Sequence, residues 1–254
     1  VKTIAFANQK GGVGKTTSVI NCSAALAGKD KKVLMVDMDP QAHLTAGSGV
    51  SPYKLEVTIY DVMKGEADPR ETVINLSDDK GRLDLLPSSI SLAAADADFV
   101  AEPGREYLLR EALQVLRKAY DYIIIDCPPS LGILTVNAFT AADSIIIPLQ
   151  TEYFALHGTR QLMQIIQKVQ SRLNPDLVMA GVLITMLDSR NNIHSEIVEV
   201  IKNKFDNQVF NTAIRRNIAL VESPSFGQSI FDYRPNSAGA KDYKKFVDEL
   251  LKVG

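Results

Sequence analysis

Hydrophobic residues along the chain fall into short, nearly unbroken blocks, separated by longer stretches in which apolar positions recur with a helical period. The blocks at residues 3–7, 32–37, 83–86, 122–126, 144–149, 177–185 and 208–211 are strand candidates, several of them continuous runs of Val, Ile and Leu. Strands of that kind are covered on both faces, as in parallel sheets. Helical patterns lie between them, at residues 18–27, 105–118, 157–173, 193–204 and 238–252. The alternation predicts right-handed crossovers and an α/β fold: a doubly wound, mostly parallel sheet flanked by helices. Residues 47–82, with Gly47, Gly49, Pro52, Gly65, Pro69 and Gly81, interrupt the pattern and are expected to form an excursion on one edge. With no repeat and no composition break, residues 1–254 are expected to form a single domain.

Composition narrows the function classes. Lys and Arg number 28 against 30 Asp and Glu, so any nucleic-acid contact must come from a local patch. Cys22 and Cys127 lack paired spacing, which fits a reducing compartment better than a disulfide framework. No apolar run reaches the length of a membrane span or resembles a leader, so a soluble cytoplasmic protein without membrane insertion is expected. His43 and His194 have no companions at metal-ligand spacing. His157, at a helix start, reads as a capping or surface residue.

The first apolar block leads into Lys10-Gly11-Gly12-Val13-Gly14-Lys15-Thr16-Thr17 and then a helical stretch. Glycines let backbone N–H groups converge on an anion, and a helix N-terminus adds partial positive charge, so this is a phosphate-binding loop. Lys15 is placed to reach the β- and γ-phosphates of a nucleotide, and the Thr16 hydroxyl to ligate Mg²⁺. The usual loop has glycine five positions before Gly14. Here that position is Gln9, and a second lysine, Lys10, follows it. Downstream, residues 33–37 end in Asp37, with Asp39 two positions on; on a strand the two would point the same way, which suits a metal-shell or water-positioning pair. Residues 122–126 form a second apolar strand ending in Asp126, the Walker B pattern, which places a carboxylate on the Mg²⁺ shell.

The loop resembles the deviant Walker A loop of the ParA/MinD superfamily. Residues 213–217, 222–227 and 233–240 extend the resemblance to the Soj-type ParA branch. The resemblance implies an ATPase of weak intrinsic turnover that uses ATP and Mg²⁺ and forms a homodimer on ATP binding. Lys10 would be the signature lysine that reaches the nucleotide of the partner subunit, and Lys10, Lys15 and Asp39 the catalytic set, Asp39 orienting the attacking water. Residues Lys10, Gly11, Gly12, Val13, Gly14, Lys15, Thr16 and Thr17 would cradle the nucleotide, with Thr16, Asp37 and Asp126 near the metal. Ala213-Ile214-Arg215-Arg216-Asn217 stands where the family has Ile-Pro-Arg-Asn, which assigns Arg215 and Asn217 to the base. Non-specific DNA would meet Arg190, Arg216 and Arg215, with Lys202, Lys204 and Lys241 as further candidates; Ala219 stands where close relatives carry another arginine. The implied role is chromosome or plasmid partition at the nucleoid, with hydrolysis stimulated by a ParB-like or cargo-adaptor protein. Three alternatives share the loop. One is an orphan ParA-like ATPase positioning another cargo. A MinD-like membrane ATPase would need a bulky amphipathic helix at residues 242–252. An iron–sulfur ATPase would need Cys22 and Cys127 on a dimer axis.

Overall fold

The computed structural model describes residues 1–77, 82–152, 155–188 and 192–253. In chain order the strands are β1 (Lys2–Phe6), β2 (Val33–Asp37), β3 (Ile74–Asn75), β4 (Leu83–Leu86), β5 (Tyr122–Asp126), β6 (Ser144–Gln150) and β7 (Val178–Thr185). They form one sheet in the order β3-β4-β2-β5-β1-β6-β7. All neighbours are parallel except the short β3, which runs antiparallel along β4. The Gly- and Pro-rich excursion therefore does return to one edge of the sheet.

The first helices are α1 (Lys15–Ala27), α2 (His43–Gly47), α3 (Ile59–Met63), α4 (Pro69–Thr72), α5 (Ala95–Asp98) and α6 (Leu108–Gln114). They are followed by α7 (Ile133–Ala141), α8 (Ala155–Arg172), α9 (Asn192–Phe205), α10 (Ile218–Glu222), α11 (Ile230–Tyr233) and α12 (Ala238–Val253). Because successive strand residues face opposite ways, each continuous apolar run feeds two cores. Leu34, Ile123, Ile125 and Ile147 pack with Ile59, Leu113, Phe139 and Leu162 from α3, α6, α7 and α8. Ile4, Phe6, Met35 and Ile124 pack on the other face with Val19 and Leu26 of α1 and with Tyr243 and Phe246 of α12. Full burial of each such side chain contributes about 1.5–3 kcal/mol.

Helix α12 bears on two alternatives. Its apolar stripe, Tyr243, Phe246, Val247 and Leu250, is buried on the sheet, so the surface a membrane-binding helix would use is already covered. Among the described residues, no helix is long and apolar enough to cross a membrane. Cys22 and Cys127 are both fully buried, in the two opposite cores, and cannot share a cluster on an exposed axis.

Two elements differ from the sequence expectation. Residues 208–211 make a single bridge, Val209 to Val182, and form no strand. The backbone turns through Asp206 at φ 46°, and Asn211 is drawn away by Glu249 of α12, which accepts from its N–H at 2.7 Å. The helix expected over 105–118 is only Leu108–Gln114, followed by a 3-10 turn at Arg117–Ala119. One close approach matters later. Gly227 and Gly49, both at positive φ, meet backbone to backbone where the turn after α10 crosses the exit of α2.

Candidate nucleotide-binding site

Strand β1 lies inside the sheet between β5 and β6, so its C-terminal end opens where the chain changes direction across the sheet, the usual ligand crevice of such folds. The phosphate loop starts there. Gly12 (φ 73°) and Gly14 (φ 86°) are left-handed, a conformation that side chains with a Cβ resist, and a Cβ built on Gly11 or Gly12 would meet nothing within 4 Å. Gly14 is the N-cap of α1, with no side-chain cap and no acid in the first turn. The helix thus presents uncapped N–H groups and an uncompensated dipole to the loop's concave side.

Neighbouring strands brace the loop from outside. Gln150, at the end of β6, donates from Nε2 to the Gly12 carbonyl at 2.9 Å, and Thr185, at the end of β7, donates to the Val13 carbonyl at 2.8 Å. Asn8 donates to Pro148 O at 2.7 Å and accepts from the Lys10 N–H at 2.9 Å. The two lysines are placed differently. Lys15 is only 7% exposed, with its ammonium 3.4 Å from the Lys10 carbonyl. Lys10 turns its ammonium to the rim, where Glu152 pairs with it and Gln150 Oε1 lies at 3.4 Å. Gln150, Glu152, Thr185 and Asn8 were not among the residues expected from sequence. Gln150 and Glu152 follow an apolar run as Asp126 ends one, but which strand end reaches the loop is set by the strand order.

The carboxylates sit at the C-terminal ends of β2 and β5, where Asp37 and Asp126 are register partners. Thr16 donates to Asp126 Oδ2 at 2.6 Å, whereas Asp126 Oδ1 is buried with no hydrogen-bond partner. Burial, and next the charge of Asp37, hold the Asp126 carboxyl well above the usual carboxylate range; the Thr16 bond and Lys15 oppose that. An orphaned buried oxygen beside a threonine hydroxyl, an open glycine cradle and a buried lysine fit Mg²⁺ with a nucleoside triphosphate. Among the described residues, no group of three or more His, Cys, Asp or Glu could hold a metal ion. A metal here would thus rely on the phosphates and on Thr16 and Asp126, and would supply neutralisation of phosphate charge.

Strand β2 ends at Asp37, so the strand rule does not carry to Asp39. Asp37 uses both oxygens on its own chain, accepting from Asp39 N–H at 3.1 Å and from Thr45 N–H and hydroxyl at 2.8 and 2.7 Å. These bonds tie the end of β2 to α2. Asp39 repeats the same turn, accepting from Gln41 N–H at 2.9 Å, while Ser88 donates to its carbonyl at 2.9 Å. Its charge is the smallest of the influences raising Asp126, after burial and Asp37.

Burial pushes Asp37 up to about 6, against the bonds from Thr45 that favour its charge. A raised carboxylate binds its proton more tightly in the native state, so its contribution is full below pH ~3.8 and is lost as pH rises through about 6. Urea midpoints of the nucleotide-free protein should therefore fall between pH 4 and 7, the share owed to Asp37 being about 3 kcal/mol. In Asp37→Asn that share of the slope should vanish; an unchanged slope would sink the assignment.

The segment expected at the base runs along the end of β7. Leu187 N–H donates to Ile214 O, and Arg216 N–H to Leu187 O, both at 3.0 Å. The Arg215 guanidinium pairs with Asp242 of α12, with Nη2 to Oδ1 at 2.6 Å and Nε to Oδ2 at 2.9 Å. Asn217 caps α10 by accepting from Ala219 N–H at 2.9 Å. Arg216 is exposed, and Ala219 is buried in the core. Of the further lysines, Lys202 pairs with Glu199 and Lys204 bonds Thr159, as solvated helix residues do. Arg190 lies outside the described residues.

Fold and loop together define a P-loop nucleoside-triphosphatase with an extra lysine ahead of the cradle. Comparison with known proteins agrees. A family model described as AAA domain matches residues 1–179. The chain is 45% identical over 253 residues to the sporulation initiation inhibitor protein Soj of Bacillus subtilis, covering 100% of this chain and 99% of that protein. It is 45% identical over 251 residues to the chromosome partitioning protein ParA of Myxococcus xanthus, covering 99% and 88%. Among solved structures, cobyrinic acid a,c-diamide synthase from Mycobacterium smegmatis with ADP and magnesium is 38% identical, with TM-score 0.87 and coverage of 99% and 94%. A plasmid partition protein of Borrelia burgdorferi bound to AMPPNP is 30% identical, with TM-score 0.81 and coverage of 99% and 97%. The chain belongs to the ParA/Soj family of P-loop ATPases, within the ParA/MinD superfamily.

Proposed function

We propose that the chain is an ATP-driven dimerisation switch for partition of chromosome or plasmid DNA. ATP with Mg²⁺ occupies the cradle, and two subunits close over the bound nucleotides. The ATP dimer binds nucleoid DNA without sequence preference, and a ParB-like or cargo-adaptor protein stimulates hydrolysis and resets the switch. The observation that carries this reading is the contrast between the two lysines. Lys15 is buried inside its own cradle, whereas the Lys10 ammonium stands outside it at the rim, with its side chain 43% exposed. A phosphate-loop lysine that leaves its own cradle is available to a second subunit. The names and ligands of the relatives, Soj, ParA and the AMPPNP- and ADP–magnesium-bound structures, support the same cycle.

ATP contacted by both subunits stabilises the dimer, and the dimer in turn tightens ATP, by ordinary linkage. Turnover is expected to be weak, because hydrolysis waits on assembly, with Asp39 orienting the water. Arg190, Arg215 and Arg216 are the cations proposed to meet DNA, Arg215 and Arg216 being exposed.

Sedimentation velocity with ATP and Mg²⁺ should show a dimer for the wild type and a monomer for Lys10→Ala, with nucleotide binding to the monomer kept within severalfold. Hydrolysis that depends on protein concentration should disappear in the variant. If Lys10→Ala dimerises and hydrolyses normally, the cross-subunit role is wrong. A DNA shift that requires ATP and weakens steeply with salt should accompany the dimer; no association at low salt would remove DNA from the proposal.

A further inference from the structure

Among the described residues, Asp30, Ala42, Met186 and Asp206 take a left-handed backbone without being glycine. Aspartate tolerates that conformation because its short side chain bonds locally, and Ala42 carries only a methyl group. Met186, at φ 54°, is the one long apolar side chain of the set. A backbone state of this cost persists only where the surroundings impose it, and such states gather at functional sites. Core burial does not account for this one, since Met186 is 37% exposed.

The groups around Met186 belong to the nucleotide cradle. It follows Thr185, the last residue of β7, whose hydroxyl donates to the Val13 carbonyl. The left-handed step carries its side chain over the phosphate loop, where Cε lies 3.8 Å from the position a Cβ on Gly14 would take. Gln150 Nε2 donates to Met186 Sδ at 2.7 Å and to the Gly12 carbonyl at 2.9 Å, so one amide ties the thioether to the loop. The same Gln150 places its Oε1 3.4 Å from the Lys10 ammonium. On the other side, Leu187 bonds the 214–216 segment through the Ile214 carbonyl and the Arg216 N–H. The turn at Met186 therefore stands between the phosphate loop and the segment expected at the base.

We propose that Met186 is a positioning residue for the nucleotide: its thioether, held over Gly14 by the left-handed turn, keeps the phosphate loop in its binding shape. It acts through Gly14 and Gln150. A loop rich in glycine loses much conformational freedom when it closes on an anion, and a brace that orders it beforehand lowers the cost left to binding. The ordered loop serves ground state and transition state alike, so the effect falls on affinity and leaves the chemical step nearly unchanged. The backbone cost at residue 186 is then the counterpart of that ordering. This inference rests on the reading that the cradle holds ATP with Mg²⁺.

Three variants of the full chain separate side chain from backbone. Met186→Gly accepts the left-handed turn freely and loses the thioether. Met186→Ala loses the thioether but keeps the Cβ that opposes the turn, and Met186→Leu keeps an apolar side chain of similar volume. Titration calorimetry with ATP and Mg²⁺ should give a Kd about tenfold weaker for Met186→Gly and Met186→Ala, and within about threefold of the wild type for Met186→Leu. Thermal melts without nucleotide should place Met186→Gly level with or above the wild type, and Met186→Ala about 2–4 °C below Met186→Gly. Amide exchange at residues 11–16 of the nucleotide-free protein should quicken in Met186→Gly, a local loosening at undiminished global stability. The kcat at saturating ATP should stay within about twofold. A methionine that only packs would make affinity follow the melting temperature. The inference is overturned if Met186→Gly binds ATP as tightly as the wild type, if it melts well below the wild type, or if Met186→Leu binds no better than Met186→Ala. A wild type that binds no ATP would instead remove the cradle reading, and this inference with it.

Discussion

Lys15→Ala is expected to abolish useful nucleotide binding, with a loss of roughly a thousandfold in affinity for ATP with Mg²⁺. Lys15 is almost fully withdrawn from water, and its ammonium has one long contact, 3.4 Å, to the Lys10 carbonyl. Such a group is poorly satisfied until phosphate oxygens arrive. Each charge-assisted hydrogen bond then gained is worth about 1.5–3 kcal/mol, and two of them account for the expected loss. There is a second effect in the same direction. Lys15 is one of two influences pulling the raised Asp126 carboxyl back towards ionisation, so its removal favours the protonated acid beside the metal position. Titration calorimetry measures the affinity directly. Thermal melts supply the control: ligand at a hundredfold excess over Kd should add about 2.7 kcal/mol to the wild type and nothing to the variant. The nucleotide-free variant should be as stable as the wild type, because a buried cation with little compensation has been removed. An affinity within fivefold of the wild type would refute the role given to the loop.

Gly227→Ala is expected to be the most damaging single methyl addition, costing about 3 kcal/mol or more. Gly227 has φ 65°, where a Cβ costs about 1–2 kcal/mol. A Cβ there would also sit 2.5 Å from the Gly49 Cα and 2.9 Å from its nitrogen. Both are backbone atoms, so no rotamer change relieves the overlap, and overpacking of this kind adds about 1–3 kcal/mol. Gly65→Ala is the matched comparison, since Gly65 has φ 74° but nothing within 4 Å of its Cβ position. Chemical denaturation should show Gly65→Ala losing about 1 kcal/mol and Gly227→Ala clearly more; equal losses would mean that the two backbones part freely. Gly47 also packs on Pro224 at the same junction. The damage should therefore reach the end of α2 and, through Thr45, Asp37.

The parts of this molecule legible in its sequence are those set by local chemistry. Continuous runs such as Tyr122–Asp126 read as two-faced strands because few other environments accept five buried residues in a row. The phosphate loop was legible for the same reason: its glycines, lysine and threonine serve one another within eight positions. What was hidden depends on which strands become neighbours. Gln150 and Thr185 grip the loop because β6 lies beside β1 and β7 beside β6, an order that no local pattern specifies. Arg215 looked like a free cation until α12 brought Asp242 to it from 27 residues away. Val209 and Phe210 carried a strand's composition, yet Glu249 holds the backbone just beyond them. Asp37 ends β2, but the strand stops two residues short of Asp39, so its alternation does not set the side of Asp39.

The position of β1 also sets a timetable for the ribosome. The strand that carries the phosphate loop is made before its flanking partners β5 and β6, so Phe6 cannot find Asp126 until the whole stretch between them has been translated. At synthesis rates of about 5–20 residues per second, this apolar segment waits roughly ten seconds with both edges open. The braces from Gln150 and Thr185 come later still. A chain released early, at any point before β7, would therefore carry the complete phosphate-loop sequence without a loop able to hold a nucleotide. Retention of a nascent chain on an ATP resin should begin only once residue 185 has left the exit tunnel.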